Sequence, residues 1–142
     1  MNNIGIITGV YEPEPIVSAK VINSLAKELK NRGENVFVIA PHPSRPYGSS
    51  YKHYFDDDFI IRINNFTAKK PQLLLLLLES ITSGILSITK LHKLRPLKVV
   101  YNAGWFLPSR MIVGIYCYIY KIDFIYVIQD VYPESLHLKK RN

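Results

Sequence analysis

The chain alternates short apolar runs with longer stretches in which apolar residues recur every three or four positions. Ile4-Gly5-Ile6-Ile7-Thr8 is a near-continuous apolar run and predicts a buried strand. After a loop over 9–15, Val17, Val21, Leu25 and Leu29 recur at helical spacing, with Ile22 and Ala26 beside them. Lys20, Asn23, Lys27, Lys30 and Asn31 take the other side of that helix. Glu28 and Arg32 are an i,i+4 ion pair on it, and Gly33 is a natural C-terminal cap. Further strands are predicted over 36–40, 59–63, 98–101 and 124–128, the last read as buried on both faces. Apolar helices are predicted over roughly 71–93 and 106–121, with Pro108 tolerable in a first turn. The segment 41–58, rich in Pro, Ser, Gly and Tyr, is too long for a mere connector.

Apolar strands that alternate with helices predict an α/β fold, a Rossmann-like doubly wound parallel sheet of about five strands. Right-handed crossovers and the long connection from the third strand to the fourth suggest the order 3-2-1-4-5. No internal repeat or linker divides the chain, so residues 1–142 are read as one domain. In such sheets ligands bind beyond the C-terminal strand ends, where the strand order reverses. That crevice would be lined by Thr8-Gly9-Val10-Tyr11 and by Asn102-Ala103-Gly104-Trp105, with Asp130 flanking it from the fifth strand.

Composition narrows the picture modestly. The chain is 48% hydrophobic and 20% charged, a globular balance, and is long enough for a sizeable core. Its net charge of +7 favours an anionic partner, whether phosphate, nucleic acid or membrane surface, and a solvated basic surface explains it equally well. The lone Cys117 lies in an apolar helix pattern and reads as a buried, inert thiol, which fits a reducing cytosol. Met1-Asn2-Asn3 lacks the basic start of a signal peptide.

The candidate motifs compete with plainer readings. Gly9 to Pro15 is no dinucleotide fingerprint, because Pro13 and Pro15 remove backbone donors where spaced glycines are needed. The Gly9 amide and the helix start after it still offer themselves to a phosphate. Asp56-Asp57-Asp58 precedes a strand instead of ending one, so a solvated loop is expected there and no metal site. The four histidines lack zinc spacing. The run Leu73 to Leu78 opens a helix apolar on most sides. It is expected to be too short for a bilayer span and too interrupted, since Glu79 and several Ser and Thr residues break it. Core packing on the sheet is the expectation. The basic flanks at Lys69, Lys70, Lys90, Lys93, Arg95 and Lys98 make contact with an anionic membrane surface compatible with it. Trp105 and Phe106 suit a sugar or lipid platform as well as helix packing.

Gln129-Asp130-Val131-Tyr132-Pro133-Glu134-Ser135-Leu136 sets two acids, an aromatic and a proline at the mouth of the fifth strand. Together with three other segments it resembles the N-terminal domain of family 4 glycosyltransferases, nearest to the branch of O-antigen, colanic-acid and capsule assembly. Tyr11-Glu12-Pro13-Glu14-Pro15 is similar to that branch's Tyr-Phe-Pro-Pro-Glu loop. The stretch from Leu25 to Val36 is similar to its Leu-Ala-x-x-Leu-x-x-Arg-Gly-His-x-Val, with Glu34 at the usual His. Pro41 to Gly48 resembles its proline-rich loop, and Asp130 to Ser135 its Asp-Leu-Trp-Pro-Glu-Ser. The resemblance covers nearly the whole chain. At the fourth-strand tip the family often has Ser-Pro-Pro, whereas this chain has Asn102-Ala103-Gly104-Trp105.

The resemblance implies an incomplete GT-B N-terminal domain, whose C-terminal donor domain with its paired glutamates is not in the sequence. It implies retaining transfer from a nucleotide diphosphate sugar to a lipid-linked saccharide, with no metal, no resident cofactor and no nucleic-acid partner. Gly9, Tyr11, Glu14, Asn102, Trp105 and Glu134 would face acceptor or phosphate, and Asp130 would be the catalytic candidate. The expected setting is cytoplasmic, peripheral to the inner face of the cytoplasmic membrane, with a separate C-terminal half as partner. The rival readings are a non-catalytic acceptor- or membrane-binding module and, more remotely, a receiver-like domain. The receiver lacks support, since no Asp ends the third strand and no acidic pair ends the first.

Overall fold

The computed structural model describes residues 2–46, 49–104 and 107–128. Its elements run β1 (Asn3–Thr8), α1 (Val17–Asn31), β2 (Asn35–Pro41), β3 (Ile60–Ile63), α2 (Leu73–Lys93), β4 (Leu97–Ala103), α3 (Leu107–Ile119) and β5 (Asp123–Tyr126). The five strands form one sheet in the order β3-β2-β1-β4-β5, and every pairing is parallel. This is the Rossmann-like order expected from the alternation of strands and helices. In the central register Ile6 stands between Val38 and Tyr101.

Successive strand residues point to opposite faces, so β1 to β4 feed two cores. Ile4, Ile6, Val36 and Val38 meet Ile22 and Ala26 of α1 on one face. Ile7, Ile39 and Val100 meet Leu91 of α2 with Val113 and Cys117 of α3 on the other. The thiol of Cys117 is wholly buried, and burial pushes its pKa up to about 11.

Helix α1 sits rotated from the expected orientation. Val17 is 78% exposed and Val21 54%, whereas Ala19, Ile22, Asn23 and Ala26 form the buried stripe. Tyr11 causes the turn. Its ring is buried in the α1 core, and its hydroxyl donates to Asn23 Oδ1 at 2.8 Å. A satisfied amide can therefore occupy an inward position that the apolar pattern assigned to solvent. Gly33 ends the helix as the sequence suggests. It adopts φ 85°, its amide bonds Lys30 O, and the next amide, from Glu34, returns to Leu29 O.

The expected core role of α2 needs correction. Its buried positions are Leu76, Ser80, Gly84, Ser87 and Leu91, so the inward face is mostly small. Small residues let α3 approach closely. A Cβ on Gly84 would stand 3.2 Å from Ser109 Cα and 3.2 Å from Ile112 Cβ. Most of the leucine run lies outward or at the margin. The fifth strand also departs from expectation. It ends at Tyr126, forms the sheet edge and leaves Ile125 and Tyr126 exposed, because no described strand pairs beyond it.

The described residues of the 42–59 crossover form no helix and are pinned by side chains. Arg62 of β3 donates to both oxygens of Asp56, at 2.7 and 2.9 Å. It also reaches Pro41 O and Glu12 O and lies over the rings of Tyr11 and Tyr54. Asp56 thus has a structural role in the loop.

Two outcomes follow from this packing. Gly84→Leu should destabilise the fold by about 1–3 kcal/mol through overpacking. The neighbouring, exposed Ile85→Gln should stay within about 0.5 kcal/mol of the parent. Urea unfolding of both variants tests the assignment of the close contact, and equal losses would refute it. Cys117 should resist alkylation at pH 8 in the folded protein and react once urea unfolds it, as mass spectrometry would record.

Candidate functional site

A small, open cleft lies at the C-terminal ends of β1, β2 and β4, on the face that α2 and α3 cover. Ile7, Thr8 and Gly9 supply one wall, and Gly104 with Ser109 the opposite one. Glu79, Ser80 and Ser83 of α2 form the roof, with Pro41 and Asn65 at the rim. The cleft sits at the strand-order reversal between β1 and β4, where a doubly wound sheet offers space to a ligand.

Its accessible lining is mostly apolar, and most of its polar atoms are already engaged. Ser80 Oγ accepts from the Ser109 amide at 2.9 Å, which ties α2 to the first turn of α3. Thr8 Oγ1 donates to Val10 O at 2.7 Å and fixes the turn after β1. Among the described residues Glu79 is the only titratable one lining the cleft, and it is fully engaged. Arg45 Nη2 donates to both its oxygens, at 2.9 and 3.1 Å, and the Ala68 amide donates to one of them at 2.9 Å. Thr8, Ser80 and Ser109 are almost wholly buried, so the cleft offers chiefly Ser83 and backbone groups, with no unengaged carboxylate among the described residues.

The residues expected from sequence separate into distinct roles. Gly9 lines the cleft. Tyr11 and Glu14 turn inward instead of facing a ligand. The Tyr11 phenol has its pKa raised, first by burial and then by the nearby Glu12 and Asp57 carboxylates, against the pull of Arg62. Glu14 is almost wholly buried and accepts from three amides, Tyr11 N at 2.9 Å, Ser44 N at 2.9 Å and Arg45 N at 2.7 Å. These bonds latch the first loop to the 42–59 crossover. Asn102 is fully buried, and its Oδ1 accepts from the Gly104 amide at 2.8 Å. Asn102 shapes the tip of β4, while its Nδ2 finds no hydrogen-bond acceptor. Trp105, Asp130 and Glu134 lie outside the described residues.

Sequence reading passed over the α2 serines and Arg110. Ser80, Ser83 and Ser87 look like interruptions of a leucine run, yet their three- and four-residue spacing marks one helix face. Arg110, in the first turn of α3, donates through Nε and Nη2 to Gly104 O at 2.8 and 2.6 Å. Its half-buried guanidinium has a pKa lowered by desolvation, against a raising influence from Tyr126. A basic residue six positions after the strand-tip glycine was the available signal.

Glu14 yields a graded expectation. Glu14→Ala would leave three amides without their acceptor and should cost about 3 kcal/mol. Glu14→Gln keeps one oxygen for Ser44 and Arg45 and should cost less. Amide exchange at Ser44 and Arg45 should accelerate in the Ala variant, and unchanged exchange would remove Glu14 as the latch.

No protein-family model matches the chain, and no curated protein matches it either.

Proposed function

We propose that the chain is the acceptor-side N-terminal part of a retaining glycosyltransferase. It would act with a donor-binding half to move a sugar from a nucleotide diphosphate sugar to a lipid-linked saccharide of cell-surface polysaccharide synthesis. The carrying observation is the position of the cleft at the β1–β4 reversal, walled by Gly9 and Gly104 and roofed by Ser80 and Ser83. A strand-order reversal is where such sheets bind ligands, and glycine walls let a ligand approach the backbone closely. The family-like motifs at 11–15, 25–36 and 130–135 supply the rest of the support.

In this reading the backbone walls and α2 serines orient the acceptor, and Arg110 keeps the β4 tip in place through the Gly104 carbonyl. Asp130, in the motif that follows β5 in sequence, is the proposed catalytic carboxylate. The donor diphosphate is stabilised by amides and cations of the other half. Transfer needs donor and acceptor held together, since positioning supplies much of the rate. One wall of the cleft is therefore insufficient. The reading implies work in the cytoplasm and needs no metal or resident cofactor.

A non-catalytic acceptor-binding module is the second reading. The engagement of Glu79 by Arg45 favours it, because it leaves the described cleft without an available acid or base.

Radiolabelled nucleotide sugar with lipid extract provides the assay. The 142-residue chain alone should form no product, and adding a matching C-terminal half should restore transfer. In that pair, Ser83→Phe should fill the cleft and suppress transfer without lowering the melting temperature. Asp130→Asn should reduce turnover by about a hundredfold, the scale of a lost acid–base group. Transfer by the chain alone would overturn the need for a second half. A silent pair that still binds the lipid-linked saccharide would favour the binding module.

A further inference from the structure

Helices α2 and α3 pack side by side on one face of the sheet and turn apolar residues away from it. Along α2 the outward positions are Leu74 at 70% exposure, Leu78 at 47%, Ile81 at 39% and Ile85 at 52%. Their spacing of four, three and four residues keeps them on one helix face. Along α3, Met111 at 56%, Ile115 at 58% and Ile119 at 65% repeat at the same interval. The two helices are close enough for Gly84 to meet Ile112, so the stripes lie on adjacent helices. An exposed apolar surface of this extent marks an interaction site.

Charge identifies what it meets. Residues 59–122 hold nine Lys and Arg against one acid, Glu79, whereas residues 1–58 hold six against seven. Glu79 is already paired with Arg45, Arg62 with Asp56 and Lys98 with Glu34, so the surplus rests on Lys69, Lys70, Lys90, Lys93, Arg95, Arg110 and Lys121, on and around α2 and α3. Exposed Lys69 and Lys70 precede α2, and exposed Lys93 and Arg95 flank its end. The Arg95 guanidinium lies over the Tyr120 ring at 4.4 Å, beside the end of α3. Aromatic rings and cations at the margin of an apolar patch are characteristic of a lipid–water boundary.

We propose that the outward face of α2 and α3 rests on an anionic bilayer, with both helices lying along the membrane plane. A second copy of the chain fits this face poorly. Both ends of α2 are basic, so any self-complementary contact would bring like charges together. Phospholipid headgroups neutralise the same cations while the acyl boundary takes up the leucines and isoleucines. At 21 residues α2 is long enough to span a bilayer. Spanning would strip Ser80 and Gly84 from α3 and expose the Glu79–Arg45 pair, so the helix lies on the surface. The inference stands independently of any sugar transfer, and it puts the α2 residues of the cleft beside the headgroup layer.

Flotation with two vesicle types tests it, one of phosphatidylcholine alone and one of phosphatidylcholine mixed with phosphatidylglycerol. The chain should bind the mixed vesicles and leave them as salt rises. The combined variant Leu78→Gln, Ile81→Gln, Met111→Gln, Ile115→Gln should lose binding while its circular-dichroism melt stays cooperative. Lys69→Gln with Lys93→Gln should bind the mixed vesicles about fivefold more weakly for each cation removed. Should the four-site variant fail to fold, this basic pair still decides the question. Equal partition to both vesicle types at every salt concentration would overturn the proposal. So would a discrete dimer, without vesicle binding, that the four-site variant dissolves in sedimentation velocity.

Discussion

The Glu14 carboxylate is the contact on which the cleft end of the sheet depends. It is buried and holds amides from two separate loops, Tyr11 on one side and Ser44 with Arg45 on the other. Arg45 continues the chain of contacts to Glu79, and Glu79 holds the Ala68 amide. Three loops and one helix are thereby fixed by two carboxylates and one guanidinium. A buried carboxylate is tolerable only when such donors replace its water. The crossover between β2 and β3 needs this help because its described residues form no helix that could bury an apolar face.

That arrangement also explains why an acid in a promising loop is not a ligand group. From sequence, Glu14 stands where the resemblance calls for a carboxylate facing the acceptor. Nothing local shows that Ser44 and Arg45 fold back to meet it. The strand order, by contrast, was legible, because apolar runs, helical spacing and right-handed crossovers leave few alternatives. Gly33 was legible for a similar reason, since a helix stop demands a left-handed residue there. The orientation of α1 was not. Its apolar pattern favoured Val17 and Val21, and only the hydroxyl of Tyr11 makes room for Asn23 inside. The α2 serines failed for the opposite reason. A helix apolar on most sides gives no clear inward face, so small residues that seat α3 look like mere breaks in a leucine run.

The two faces of α2 thus divide its duties. The small face sets the distance to α3 and brings Ser80 and Ser83 to the cleft, while the large apolar face contributes little to the core. The net charge of the chain is concentrated around the same helix. The glycine-walled crevice depends on the sheet order, whereas its roof depends on how closely α2 can approach.

The latch also dictates a sequence of events in folding. β1, α1 and β2 are consecutive and can pair as soon as residues 3–41 exist. The Glu14 carboxylate must then find Arg45 at a separation of 31 residues, and Arg45 must find Glu79 at 34. Loop-closure entropy has to be met before these contacts return anything. On a chain emerging from its N-terminus, two of the five strands can therefore stand before the crossover is secured. The cleft acquires its roof only when α2 arrives and its second wall only with Gly104 and Ser109, so it cannot exist until both halves of the chain have met.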